Sequence, residues 1–124
     1  MMIRKASSVV SCIQKAETIL VAGHIMPDGD CISSVVSLSV GIERFGKKAT
    51  PAIDWKISPN FKVFPWIERI KGFDEEIPKP DLIIVVDASS PDRIGRFENF
   101  LRMGVPSIVI DHHATNTYFA NECW

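Results

Sequence analysis

The chain has 124 residues, of which 46% are hydrophobic and 23% are charged, and its formal net charge is -1. This length allows one hydrophobic core, and the balanced composition excludes disordered, collagen-like and disulfide-scaffold proteins. The near-neutral charge argues against binding to long duplex nucleic acid, which requires a basic surface.

The first half of the chain predicts helix, strand, helix and strand in turn. The N-terminal segment is amphipathic, and its apolar side comprises Ile3, Ala6, Val9, Val10, Ile13 and Ala16. The run ETILVAGH is typical of a strand that is buried on both faces of a parallel sheet. CISSVVSLSVGIERFG then predicts a helix that ends at Gly46, and KKATPAID predicts a second strand.

The second half continues this alternation. SPNFKVFPWIERIKG contains Pro59 and Pro65, so we expect a loop with one or two short helical turns. PDLIIVVDAS predicts a strand, PDRIGRFENFLRMG a helix that ends at Gly104, and VPSIVIDHH another buried strand. The order predicts an α/β fold, a parallel, doubly wound sheet of about four strands with helices on both faces.

Apolar runs and cysteines bear on the location of the protein. The longest apolar runs, TILVAG and DLIIVVDAS, are far shorter than the roughly 20 residues of a membrane-spanning helix, so we expect no membrane partner. Cys12, Cys31 and Cys123 have neither Cys-x-x-Cys nor zinc-type spacing. We therefore expect reduced thiols and a cytoplasmic protein.

Three predicted strands end in charged residues, in the segments HIMPDGD, DASSPDR and DHH. Parallel strands bring their carboxyl ends to one edge of the sheet, so these side chains are expected to converge. The candidates are His24, Asp28, Asp30, Asp87, Asp111, His112 and His113. Clustered carboxylates repel one another unless a divalent cation neutralises them. Carboxylate and imidazole ligands suit manganese, iron, zinc or magnesium, and this many ligands predicts two ions about 3.5–4 Å apart, as in phosphoester hydrolysis.

The PDGD segment carries further expectations. If Asp28 and Asp30 flank Gly29 in an extended loop, their carboxylates point in opposite directions and reach different ions. Asp30 or Ser33 is expected to cap the following helix, whose N-terminus favours a phosphate. Elsewhere, Asp54 and Asp92 are assigned to turns or to solvent.

GHIMPDGDCISS, VVDASSPDRIG and VIDHHATN resemble, in order, the first three motifs of the DHH phosphoesterase family, most closely its oligoribonuclease and pAp-phosphatase branch, the nanoRNases. A bare Asp-His-His would be a weak signal, but three ordered motifs at strand ends are specific. The resemblance covers nearly the whole chain. It implies a phosphoesterase that hydrolyses short oligonucleotides or 3'-phosphoadenosine 5'-phosphate. The attacking group would be a hydroxide that two divalent ions activate. These ions are expected to be Mn²⁺, with Mg²⁺, Fe²⁺ or Zn²⁺ as alternatives.

The resemblance also implies a set of metal ligands. His24 and Asp28 would bind the first ion, and Asp30 and His112 would bind the second. Asp87 would bind both.

The remaining motif residues would act around the ions. Asp111 would orient His112, since metal-bound histidines commonly need a hydrogen-bond acceptor behind them. His113, with Arg93, would contact substrate. Gly95 is assigned to close packing, and Arg93 also to a salt bridge near the site.

Two departures from the family pattern shape the expected domain organisation. The family's catalytic domain continues beyond the third motif and is followed by a substrate-binding domain. Residues 1–124 would then be the N-terminal portion of a DHH domain, with the C-terminal domain absent. The bare sheet edge this leaves predicts a homo-oligomer.

Cys31 and Ser33 stand where relatives often have alanine and glycine, a difference assigned to helix packing.

Two alternatives stay open at this point. One is an inorganic pyrophosphatase or exopolyphosphatase of the same superfamily. The other is a non-catalytic module that binds metal or nucleotide, or that dimerises.

Overall fold

Helices and strands alternate along the chain in the computed structural model, which describes residues 6–124; Ile3, in the predicted first helix, lies outside the described residues. The elements are α1 (Ala6–Lys15), β1 (Thr18–Ala22), α2 (Gly29–Glu43), β2 (Lys48–Ala52), β3 (Leu82–Val86), α3 (Glu98–Arg102), β4 (Ser107–Ile110) and β5 (Glu122–Cys123). Short 3₁₀ segments cover Pro59–Val63, Ile67–Arg69 and Pro91–Phe97. The first two are the short helical turns predicted between β2 and β3.

The five strands form one parallel sheet in the order β2-β1-β3-β4-β5. After β1 the chain adds β2 on one side, then crosses back and adds β3 on the other. The winding direction therefore reverses between β1 and β3. This confirms the predicted doubly wound α/β fold, and the four predicted strands are all present. The fifth, β5, is a two-residue strand beside β4 that no apolar run in the sequence indicates.

Both faces of the sheet are buried, as the continuous apolar strands predict. Along β3, Ile84 belongs to the same buried cluster as Val35 of α2, whereas the neighbouring Ile83 belongs to a second cluster with Phe97. Complete burial of a side chain of this kind stabilises the fold by about 1.5–3 kcal/mol. Two such layers fix the strands, and therefore fix the positions of the residues at their carboxyl ends.

Helix α2 begins at Gly29, earlier than predicted. Its N-cap is Asp28, whose carboxylate accepts the Cys31 N–H at 2.9 Å. The prediction that Asp30 or Ser33 caps this helix is therefore wrong. Asp28 has extended backbone angles, which place its side chain over the free N–H groups, whereas Asp30 is already helical.

The segment after β3 is not the single helix that the sequence predicts. Gly95 has φ 61° and ψ -138°, and this non-helical residue interrupts the 3₁₀ segment before α3 begins at Glu98. Among residues 6–124, no helix is both long and apolar enough to cross a membrane.

Candidate metal centre

The three charged motifs meet where the winding of the sheet reverses. His24 follows β1, Asp87 follows β3 directly, and Asp111 follows β4. These strands are adjacent and parallel, and Val86 at the end of β3 is in register with Ile110 at the end of β4. In open α/β sheets this edge is where ligands bind.

Asp87 lies at the centre of the cluster, with one carboxylate oxygen directed towards each of two histidines. Its Oδ1 lies 2.9 Å from His112 Nε2, and its Oδ2 lies 3.4 Å from His24 Nε2. The Asp87 side chain is only 7% exposed. Its φ of 59° is left-handed, which is uncommon for a non-glycine residue and is typical of strained functional sites.

Asp28 and Asp30 lie beside different histidines. Asp28 Oδ1 is 3.8 Å from His24 Nε2, and Asp30 Oδ2 is 3.4 Å from His112 Nε2. The structure thus separates the two carboxylates as predicted, but the predicted reason is wrong. Gly29 and Asp30 already belong to α2, so the start of a helix, and not an extended loop, directs them apart.

The hydrogen bonding of His24 shows that this cluster suits a cation. His24 Nδ1 lies 2.7 Å from the carbonyl oxygen of Ile25, which can only accept, so Nδ1 carries the ring proton. In a neutral ring, Nε2 then presents a lone pair to the carboxylates of Asp28 and Asp87. These groups repel one another unless a positive charge lies between them. Two carboxylates and an imidazole nitrogen are ligands for a divalent ion.

The surroundings of His112 have the same electrostatic character. The hydrogen bond with Asp87 raises the pKa of His112 above its ordinary value, and the negative charges of Asp87, Asp30 and Asp111 add to this rise. Together these effects outweigh desolvation, which acts in the opposite direction. The carboxylates around this ring therefore favour a positive charge at its position.

Asp111 holds His113, and not His112 as the family resemblance implied. Asp111 Oδ1 lies 2.5 Å from His113 Nδ1, and its Oδ2 accepts a hydrogen bond from Asn116 at 2.8 Å. Burial raises the pKa of Asp111, but the hydrogen bonds from Asn116 and His113 outweigh this and lower it below its usual value. The prediction is wrong because the ring of His112 turns towards Asp87 instead. Sequence reasoning missed Asn116, since an asparagine in a polar segment usually indicates a turn.

Arg93 lies at the wall of the site. The cavity, of about 330 Å³, is lined by His24, Asp28, Asp30, Asp87, Ser89, Arg93, His112 and His113. Arg93 is the one basic residue beside the aspartates and histidines of this lining. Within residues 6–124 no ion pair includes Arg93, so the predicted salt bridge is wrong. Its backbone carbonyl accepts the Ile25 N–H at 2.7 Å, which connects this segment to the loop after His24.

A carboxylate outside the motifs fixes the segment that carries Arg93. Asp54 Oδ2 accepts the backbone N–H of Arg96 at 2.8 Å, and its Oδ1 accepts from the Arg96 guanidinium at 2.7 Å. These hydrogen bonds lower the pKa of Asp54. A Cβ at Gly95 would lie 2.5 Å from Asp54 Oδ2, which confirms that Gly95 is needed for close packing.

The two aspartates assigned to turns or solvent thus differ in outcome. The assignment is wrong for Asp54, whose partner Arg96 is distant in sequence and could not be recognised from it. Asp92, exposed, accepts the hydroxyl of Ser90 at 2.6 Å, as a turn residue does.

Cys31 lies beneath the same cluster. It is completely buried, and its Sγ accepts the backbone N–H of His24 at 3.3 Å. Burial raises the pKa of the Cys31 thiol to about 12, and the charges of Asp87, Asp28 and Asp30 contribute to the rise. The thiol is therefore protonated in the absence of a cation.

Comparisons with known proteins identify the family to which the chain is similar. The family described as "DHH family, N-terminal domain" matches residues 18–123. The chain is 32% identical over 108 residues to the bifunctional oligoribonuclease and PAP phosphatase NrnA of Thermus thermophilus, an alignment that covers 83% of this chain and 30% of the relative. It is 30% identical over 125 residues to the protein of the same name from Mycoplasma pneumoniae, covering 89% of this chain and 35% of that relative. The chain spans about a third of the length of these relatives.

A solved structure supports the fold. An exopolyphosphatase-related protein from Bacteroides fragilis superimposes with a TM-score of 0.84 at 22% identity, over 95% of this chain and 37% of that chain. At this identity the similarity establishes the α/β architecture alone.

Proposed function

The chain belongs to the DHH family, and from this premise we propose that its site binds two divalent cations and hydrolyses phosphoester bonds. The observation that carries the proposal is the position of Asp87. Its two carboxylate oxygens are directed to different histidines, as expected for a ligand shared between two ions.

The side chains around Asp87 divide into two ligand sets. His24 and Asp28 would hold the first ion with Asp87, and Asp30 and His112 would hold the second with the same carboxylate. When bound, such cations lower the pKa of a water molecule and polarise a phosphoryl oxygen. Manganese fits this mixture of oxygen and imidazole ligands, as do magnesium, iron and zinc.

Two further residues would act on the substrate. Arg93 lines the pocket, and its guanidinium would bind a phosphoryl oxygen of the substrate. His113 Nδ1 is hydrogen-bonded to the Asp111 carboxylate, so Nε2 is the ring nitrogen that would contact the leaving group. Asp111 thus acts by fixing the orientation and tautomer of His113.

We propose short oligonucleotides or 3'-phosphoadenosine 5'-phosphate as substrates. The names of the two relatives support this class. The remaining two thirds of those relatives have no counterpart in these residues, so the proposal concerns the phosphoryl-binding half of the pocket. We also propose that the protein acts in the cytoplasm, which its three free cysteines support.

A second candidate is hydrolysis of a phosphoanhydride such as pyrophosphate or polyphosphate. The name of the structural neighbour, an exopolyphosphatase-related protein, suggests it, and the residues that line the pocket are aspartates, histidines, Ser89 and Arg93, which would contact a phosphoryl group. A two-metal site serves both reactions by the same chemistry.

The test measures cation binding and then turnover. Manganese is titrated into the metal-free chain by calorimetry, with Asp87→Asn as the site variant and Asp92→Asn as the matched control. We expect two manganese ions to bind per original chain. Asp87→Asn should bind manganese at least about 100-fold more weakly, whereas Asp92→Asn should bind it as the original chain does. The manganese-loaded chain is then given 3'-phosphoadenosine 5'-phosphate, a dinucleotide and pyrophosphate.

The two measurements separate the alternatives. Preferred cleavage of the nucleotides supports the first candidate, and preferred cleavage of pyrophosphate supports the second. Cation binding without any turnover refutes hydrolysis by this chain and leaves a binding module. The absence of binding of manganese, cobalt and zinc alike refutes the metal centre itself.

A further inference from the structure

Cys31 places a sulfur atom next to the first set of ligands. It belongs to the first turn of α2, and its side chain points back towards the end of β1, where Sγ meets the His24 N–H. A Cβ at Gly23 would lie only 2.6 Å from this sulfur and 2.8 Å from Val35. Glycine at position 23 therefore leaves the space that the sulfur occupies, and the surrounding contacts hold it there.

The sulfur lies within reach of a shared cation. Three ligand atoms, one each from His24, Cys31 and Asp87, lie within 4.8 Å of one another, and all three residues are buried. Ligand bonds to zinc of about 2.0–2.3 Å place tetrahedral ligand atoms roughly 3.5 Å apart. The distances between these three atoms would have to shrink by at most roughly 1.3 Å to reach that separation.

A second observation points to the same place. The Nε2 lone pair of His24, on a side chain that is 9% exposed, faces the buried Asp87 carboxylate. When the ring is neutral, its single proton lies on Nδ1, which donates to the Ile25 carbonyl, so Nε2 and the Asp87 carboxylate are both acceptors. This pair of acceptors favours a cation between them, and Cys31 offers a further ligand from within the protein core.

We propose that Cys31 is a thiolate ligand of the cation held by His24 and Asp87, and that it shifts the first site from manganese towards zinc. A thiolate is a softer ligand than a carboxylate and favours zinc, cobalt or cadmium over manganese and magnesium. The thiol proton passes to solvent as the bond forms, so the ion that binds at the first site releases one additional proton. The second site, formed by Asp30 and His112, contains no sulfur and keeps the preference of oxygen and imidazole ligands. The inference rests on the metal centre proposed above.

Cobalt(II) is the probe, because a cobalt-thiolate bond produces an intense charge-transfer band in the near ultraviolet that oxygen and nitrogen ligands do not produce. Cobalt is titrated into the metal-free chain and into Cys31→Ala, Cys31→Ser and Cys12→Ala. We expect the band in the original chain and in Cys12→Ala, and its loss in both variants at position 31. In competition titrations, we expect Cys31→Ala to bind zinc at least tenfold more weakly while its manganese affinity changes by less than about threefold.

Each outcome decides the inference. Cobalt binding without the charge-transfer band overturns it and leaves the metal centre intact, as does a band that persists without Cys31. Equal loss of zinc and manganese affinity in Cys31→Ala also overturns it, because a general disturbance of the site would have that effect. Failure of every cation to bind refutes the metal centre and the inference together. Circular dichroism verifies folding, and Cys31→Ser, which differs by one atom, provides the answer if the alanine variant does not fold.

Discussion

Substitution of Gly95 by alanine tests whether the packing behind the site is as close as the structure shows. The new Cβ would lie 2.5 Å from Asp54 Oδ2 and 2.9 Å from Asp54 Cβ, distances that force the carboxylate to move. The backbone angles of Gly95 cost an L-residue about 1–3 kcal/mol. Loss of the hydrogen bond from the Arg96 backbone N–H to the Asp54 carboxylate costs about 1.5–3 kcal/mol more. The expected total is about 2.5–6 kcal/mol, a large part of the 5–15 kcal/mol that stabilises typical domains.

Gly104 provides the matched control. Its φ is 80°, but a Cβ there would meet nothing within 4 Å, so Gly104→Ala carries the backbone cost without the clash. We expect it to lose about 1–2 kcal/mol. In an Asp54→Ala background, Gly95→Ala should cost less than in the original chain, because the carboxylate that it strikes is gone and only the 2.9 Å contact with the Cβ of residue 54 remains. Urea unfolding at neutral pH, followed by tryptophan fluorescence, measures the free energy of unfolding of Gly95→Ala, Gly104→Ala, Asp54→Ala and the double variant at positions 54 and 95.

The same substitution should weaken the metal centre. The Arg93 carbonyl accepts the Ile25 N–H, so movement of the segment before Gly95 reaches the loop that carries His24. We expect weaker manganese binding in Gly95→Ala and unchanged binding in Gly104→Ala. Equal destabilisation by the two glycine substitutions, or an undiminished cost of Gly95→Ala without the Asp54 carboxylate, would refute the reasoning.

Three further predictions follow from the described contacts. Hydrogen bonds lower the pKa of Asp54 in the folded chain, so the contribution of this carboxylate to stability is complete above its unfolded pKa of about 3.9 and is lost as the pH falls towards the lowered, folded pKa. The difference in unfolding free energy between the original chain and Asp54→Asn, measured in urea, should therefore narrow below about pH 4. A constant difference would contradict this. In the native chain a thiol reagent should label the half-buried Cys12 but not the fully buried Cys31 until urea is added, which mass spectrometry of the labelled peptides detects. Asn116→Ala removes a hydrogen-bond donor to Asp111. The pKa of the Asp111 carboxyl, followed by NMR titration, should therefore rise, and the free energy of unfolding in urea should fall by about 1 kcal/mol. An unchanged pKa of Asp111 would show that Asn116 does not stabilise its carboxylate.

The sheet and the general location of the site were predictable because they depend on short-range patterns. Continuous apolar runs predict strands buried on both faces, and alternation with helices makes the sheet parallel. Once the strands are parallel, the charged residues that follow them lie at one edge whatever the details of packing. This is why His24, Asp87 and Asp111, which are distant in the chain, were expected together and are found together.

What the sequence did not determine is which side chain meets which. Asp111 was expected to support His112 and holds His113, because the direction of two adjacent rings depends on Asp87 from another strand. Asp54 and Arg96 are 42 positions apart, and no local pattern indicates their pairing.

The sequence by itself thus determined a parallel α/β chain of the DHH family with an acidic, histidine-containing edge, since periodicity and motif order are local properties. Only the tertiary structure decided the direction of each carboxylate, the support behind Arg93 and the place of the Cys31 sulfur. Those depend on distances of a few ångströms between segments that the chain brings together only when it folds.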